Sequence, residues 1–191
     1  MQEQFFSVTH ATPVNVIPLP DDYSLPSEQA LEAELPEPFR IAAAISSIDM
    51  ATTRLIRNQN DAMQDLVEII NQQSRKIDMI MSYVLAAQDH PEQRFHTLTF
   101  GAGQLTYLHP AQGHGQAPLR DQLVRLKIFL RDEASAVYCY ARVREVTAGE
   151  YGQHIVLDYA RIREEDRELL VRASLHVQSR QLKARAQERL R

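Results

Sequence analysis

The sequence predicts an α+β protein: a small antiparallel β-barrel, a C-terminal helix, and a long inserted coiled-coil helix that oligomerises. Three observations carry this reading. Ile56, Met63, Ile70, Ile77 and Val84 recur every seven positions, and Leu66, Ile80 and Ala87 follow three of them by three. That is the a/d spacing of helices that supercoil about one another. From Thr97 onward the period falls to two, with turn residues between short runs, as in a barrel of short strands. Finally, Glu164, Glu165 and Asp166 suit a helix N-terminus, where the macrodipole favours negative charge, and the apolar positions after them return to helical spacing.

Taken in order, Phe5 to Val8 and Val14 to Leu19 are β-prone stretches around Pro13, closed by Pro18 and Pro20, and read as edge strands. Ser27 precedes a short helical pattern with Glu28 in its first turn. Pro38, tolerated in a first helical turn, then opens a helix running to about Gln88. The interior of 39–88 holds neither Gly nor Pro. As one helix it would span roughly 75 Å, against a radius of gyration of about 16 Å for a compact chain of this length. The helix must protrude, bend back or bundle. Ala42 to Ala44, Ile45, Ile48, Thr52 and Leu55 follow a shifted register, which places a stutter or break near 50–54.

Asp89, His90 and Pro91 stop the helix. Thr97–Phe100 and Gln104–Leu108 then flank Gly101-Ala102-Gly103 as a hairpin, and Gln112 to Gly115 is a loop. Val124, Leu126, Ile128 and Leu130 alternate with Arg125, Lys127 and Phe129. Val137, Cys139, Ala141 and Val143 alternate with Tyr138, Tyr140 and Arg142. Each run reads as a half-buried strand, and a further one covers Gln153–Tyr159. Ile162, Leu169, Leu170, Ala173 and Val177 form the apolar face of the last helix, and the basic end from Arg180 suits a solvated C-terminus.

Bulk properties exclude several classes. The 191 residues are 44% hydrophobic and 24% charged, which suits a globular chain. A net charge of −4 argues against a broad nucleic-acid footprint. No apolar run is long enough to span a membrane, and Met1 to Thr9 carries Glu3 without a basic region, so no signal peptide is expected. A single cysteine, Cys139, fits a bacterial cytosolic protein.

Signs of chemistry are sparse. The seven histidines show no ligand spacing with Cys or carboxylates; His109 and His114 flank one loop and read as polar loop residues. Cys139 shares its strand face with Val137 and Ala141 and reads as a buried structural thiol. Neither glycine cluster is followed by a phosphate-binding lysine or opens a helix. No catalytic residue, cofactor or metal is expected.

The stretch TFGAGQLTYL, Thr99 to Leu108, resembles N-L-S-A-G-G-L-R-F-L of the PilZ domain, the small bacterial cyclic-di-GMP receptor module, with matches at Ala102, Gly103, Leu105 and Leu108. The stretch HIVLDYARIREEDRELL is similar to that family's last strand, loop and helix start. The resemblance implies a six-stranded PilZ-like barrel with a C-terminal helix. A heptad helix inserted after short N-terminal strands resembles the atypical tetrameric PilZ group, in which helices of several subunits bundle. By that resemblance residues 1–26 complete the barrel, 27–90 are the helical insertion, and 91–191 are the rest of the barrel and its helix.

The departures fall on ligand positions. The family's [D/N]-x-S-x-x-G motif reads Thr99, Gly101 and Gln104 here. Its R-x-x-x-R clamp, two planar guanidiniums that grip phosphate and guanine, is reduced to Arg94. Arg163/Arg167 and Arg185/Arg189 have the clamp spacing but fall in or beside the C-terminal helix.

The expectation is therefore a non-enzymatic, cytoplasmic, oligomeric PilZ-like adaptor in cyclic-di-GMP-related signalling that acts on a protein partner and does not bind cyclic-di-GMP in the usual way. Self-assembly is expected through Ile56, Gln59, Met63, Leu66, Ile70, Gln73, Ile77, Ile80 and Val84. Leu55 and the positions that follow it at sevens, Ala62, Ile69, Lys76 and Tyr83, add a flank that widens the apolar face, which favours a homotetramer over a dimer. Three alternatives stand beside this: a hairpin in which 39–88 folds back on its own barrel, a cyclic-di-GMP receptor using residues such as Arg94 and Arg142, and an enzyme with a scattered site.

Overall fold

Strands β1 (Ser7–Thr9) and β2 (Pro13–Pro18) lie end to end along one edge of β3 (Arg94–Gly101), with Val8 opposite Phe100 and Val14 opposite Phe95. The computed structural model describes residues 7–56, 64–112 and 115–189. Thr12 bridges the interruption: its N–H donates to Thr97 Oγ1 at 3.0 Å and its carbonyl accepts from the Thr97 N–H at 2.9 Å. The other edge of β3 pairs with β4 (Gln104–Pro110). From β4 the antiparallel sheet continues through β7 (Gly152–Arg161), β6 (Ser135–Gly149) and β5 (Leu123–Leu130) back to β2. It closes as a six-stranded barrel, with β1 prolonging the line of β2. Gly152 makes the β6–β7 turn possible. Its φ is +147°, and a Cβ there would meet the His109 carbonyl oxygen at 2.1 Å.

Alternation along the strands builds two cores. The inward set includes Val14, Phe100, Leu105, Tyr107, Leu126, Ile128, Val137, Cys139 and Leu157, and α4 (Glu164–Glu188) plugs the barrel with Leu169, Leu170, Ala173 and Val177. The outward set is Phe129, Ala136, Tyr138 and Tyr140, covered by α1 (Glu28–Glu34), α2 (Glu37–Ile56) and α3 (Gln64–Ala86). The first half of β6 is therefore buried on both faces, where the sequence predicts a half-buried strand. Tyr138 and Tyr140 occupy the slots that solvent-facing residues would fill, under Phe39 and Leu31.

The single helix predicted over 39–88 is two helices. Phe39 near the start of α2 and Leu85 near the end of α3 belong to one cluster. In one straight helix these residues would stand about 69 Å apart. The insertion instead leaves the barrel along α2 and returns along α3, and the two pack on each other. Burial of Phe39, Ala42, Met81 and Leu85 against the barrel wall is what draws both limbs back. The break expected near 50–54 is not there, because α2 runs unbroken to Ile56. Gln59, Met63 and the side chain of Ile56 lie outside the described residues.

Candidate functional site

Asp89, three residues beyond the end of α3, is buried, and its side chain is 3% exposed. Arg94 Nε, at the start of β3, lies 2.9 and 2.8 Å from its two carboxylate oxygens. Asn15 of β2 donates to the same carboxylate at 2.9 Å and accepts from the His90 N–H at 2.9 Å. Arg131 stands 3.8 Å away. Arg94 thus ties the end of the helical insertion to the barrel. This network escapes sequence reasoning: Asn15 stands 74 positions from Asp89, and an Asp-to-Arg spacing of five in a loop carries no local signal.

The other three ligand positions sit around the far end of β3: Thr99 is five residues from Arg94, about 17 Å along the strand, Gly101 is seven, about 23 Å, and Gln104 opens β4 beyond the turn. Thr99 and Thr106 share a hydroxyl contact of 2.8 Å across the hairpin. Gly101 ends β3 and is buried beside β1. Gln104 Oε1 accepts from Arg144 at 2.9 Å, and Arg144 pairs with Asp158 at 3.1 Å. The turn between them is braced from outside: Gly103 O accepts from the Tyr159 N–H at 3.0 Å and Ala102 O from Arg167 at 2.6 Å. Arg142 donates to the Asp121 carbonyl at 2.8 Å. The structure therefore does not bring Arg94 together with Thr99, Gly101 and Gln104.

At the foot of α4, Asp166 is buried and gripped by both ends of the Arg163 guanidinium at 2.8 and 2.9 Å. Burial outweighs that grip and pushes its carboxyl up to about 6. Tyr140 donates to Glu34 and meets Tyr23 at 3.0 Å, which fastens α1 to the barrel wall. Burial pushes the Cys139 thiol well up, which removes it as a nucleophile at neutral pH. Among the described residues no cluster of His, Cys, Asp or Glu is arranged to hold a metal, and no helix is long and apolar enough to cross a membrane.

The predicted assembly stripe runs along α3. At about 100° per residue, Leu66, Ile69, Ile77, Ile80 and Val84 fall within about 80° of one another. Met81 and Leu85, which face the barrel, lie roughly 90° round the helix. Leu66 is 50% exposed, Ile69 54%, Ile77 44% and Ile80 63%. Ile70 and Val84 are half-buried and Gln73 is exposed. Tyr83 and Met79 extend the apolar surface on its flank. One apolar face of α3 is thus spent on the chain's own core and a second is left open.

No known protein-family pattern matches the sequence, and no curated protein sequence does. Among solved structures, a pathogenic protein from Xanthomonas campestris, a tetrameric PilZ domain self-assembled through a helical bundle, superposes with a TM-score of 0.55 at 12% identity. The match covers 95% of this chain and 92% of that one. The fold is PilZ-like. The inhibitor of motility of Bacillus subtilis matches with a TM-score of 0.49 at 11% identity over 94% of this chain, which spans about half (53%) of that protein's length. In this PilZ-like barrel Arg94 is committed to Asp89, and Gln104 to Arg144.

Proposed function

We propose that the chain is a self-assembling, non-enzymatic PilZ-type adaptor in bacterial cyclic-di-GMP-related signalling. It works in the cytoplasm through protein contacts and not through nucleotide capture at the PilZ ligand positions. The observation that carries this reading is the open stripe of α3. Four large apolar side chains, each about half exposed or more, follow the heptad spacing or its flank on one helix. Fully burying each is worth about 1.5–3 kcal/mol, and a contiguous exposed patch of this kind marks an interaction surface. The stripe lies away from the barrel, so four hairpins can pack together while four barrels remain outside. Display of several barrels raises avidity for a partner without any new contact. The tetrameric PilZ protein with its helical bundle supports the same arrangement.

The second half of the reading rests on how the ligand positions are used. A nucleotide clamp needs free, converging guanidiniums. Here Arg94 is held by a buried carboxylate, and its former companions lie at the opposite end of a strand.

Sedimentation equilibrium at micromolar concentration is expected to give a tetramer. Ile77→Asp with Ile80→Asp is expected to give a monomer with unchanged circular dichroism. A monomer from the unmodified chain overturns the assembly reading. Calorimetry with cyclic-di-GMP is expected to show no saturable heat; a one-site isotherm overturns the statement about the ligand positions.

A further inference from the structure

Beyond the edge of the helical cover, the outer wall of the barrel carries two cations side by side. Arg125 and Lys127 stand two apart on β5, so they project from one face about 7 Å apart. They line a recess of about 340 Å³ with Ile17, Pro36 and Tyr138 as walls and the segment His90 to Gln93 at its rim. Both are half-buried. Among the described residues neither has a carboxylate partner. Lys127 Nζ reaches the Gln88 carbonyl at 3.5 Å. The guanidinium of Arg125 lies against the Tyr138 and Tyr140 hydroxyls, and its Nε is buried without a partner.

Of the acids nearby, Asp89 acts on Lys127 only through its field, at a longer range than an ion pair. Asp89 is engaged by Arg94 and Asn15. Glu92 is 70% exposed and turns to His90 at 4.0 Å. Burial, and then Arg125 beside it, hold the Lys127 ammonium below its usual range, and the Asp89 carboxylate offsets only part of this. Gln93 adds a further unanswered group, since its Oε1 is buried without a partner. Turning that amide over exchanges the acceptor for an N–H donor. A recess with two cations outside any ion pair, an amide able to donate and a histidine at the rim suits an acceptor with two negative charges.

We infer that this recess is an oxyanion site that takes a phosphate group, free or as a small monoester, between Arg125 and Lys127. A dianion neutralises the pair, where a monoanion leaves one charge standing in a half-buried place. Ile17 and Pro36 give an organic substituent an apolar surface to lie on. The site lies away from Thr99, Gly101 and Gln104, its rim leads directly into Arg94, and it does not depend on assembly.

The test is a titration of the full chain with inorganic phosphate and with phenyl phosphate, with acetate at matched ionic strength as the control. It reads amide chemical shifts of β5 and the thermal midpoint. Saturable shifts on β5 and a rising midpoint are expected for the phosphates and not for acetate. Tighter binding of phenyl phosphate assigns a monoester, and equal binding assigns free phosphate. Arg125→Gln with Lys127→Gln is expected to weaken binding at least tenfold, and Lys127→Arg to retain it. Should the double variant not fold, Lys127→Gln alone carries the comparison. An equal response to acetate, no response to either phosphate, or a phosphate response that survives loss of the cations overturns the inference.

Discussion

Asp89 shows how much one side chain decides here. It ends the helical excursion, and its carboxylate is shut away from water while Arg94 and Asn15 satisfy it. Removing one partner of a buried ion pair costs about 3–5 kcal/mol, because the remaining charge is stranded. Arg94→Met is therefore expected to lower stability to urea by about 3 kcal/mol, and Asp89→Asn in the same chain to restore part of the loss. Arg142→Met, on an exposed guanidinium, should stay within about 0.5 kcal/mol. At this scale the sequence is a poor guide. The absence of the second clamp arginine is plain in the letters, but the new employment of Arg94 is not, since it depends on Asn15 far along the chain. Arg125 and Lys127 likewise read as the polar half of an alternating strand. That neither forms an ion pair appears once Asp89 is seen to be held by Arg94 and Asn15.

At the scale of elements, α3 carries two apolar faces with different owners. Met81 and Leu85 are 5% and 4% exposed against the barrel, whereas Ile80 is 63% exposed. Leu85→Ala should destabilise the fold by about 2–5 kcal/mol in a urea series. Ile80→Ala should leave that value nearly unchanged and shift the assembly equilibrium in sedimentation. The heptad spacing was legible without any structure, as was the change of period at Thr97. The return of the helix stood only as an alternative to a single long helix, and the structure decides for it. A repeat reports which positions are apolar, not which partner covers them, and the stretch 39–88 lacks the Gly or Pro that would mark a turn. The same blindness affects β6: Tyr138 and Tyr140 look like outward positions, and only the layer of α1–α3 makes them core.

For the whole molecule, the architecture follows from closing a sheet around a long excursion. β2 pairs with β3 and β5 from across the entire helical insertion, so the barrel cannot close until both limbs of the hairpin are home. Coupling of assembly to folding then has a thermodynamic signature. For a tetramer, tenfold more protein adds roughly 1 kcal/mol per protomer, which raises the thermal midpoint by about 2–4 °C. Scanning calorimetry over a concentration series should show this rise, and the Ile77→Asp, Ile80→Asp chain should lose it.

The excursion departs from the barrel at Phe39 and is back at Leu85, and these residues share one cluster. Its two feet therefore stand on the same small plot of wall. Such an arm is modular. Matched heptads can be added to or trimmed from α2 and α3 together, and every strand of the barrel keeps its place. The reach of the arm, and with it the spacing between barrels in an assembly, is a dimension that insertions and deletions can tune while the fold that holds it stands still.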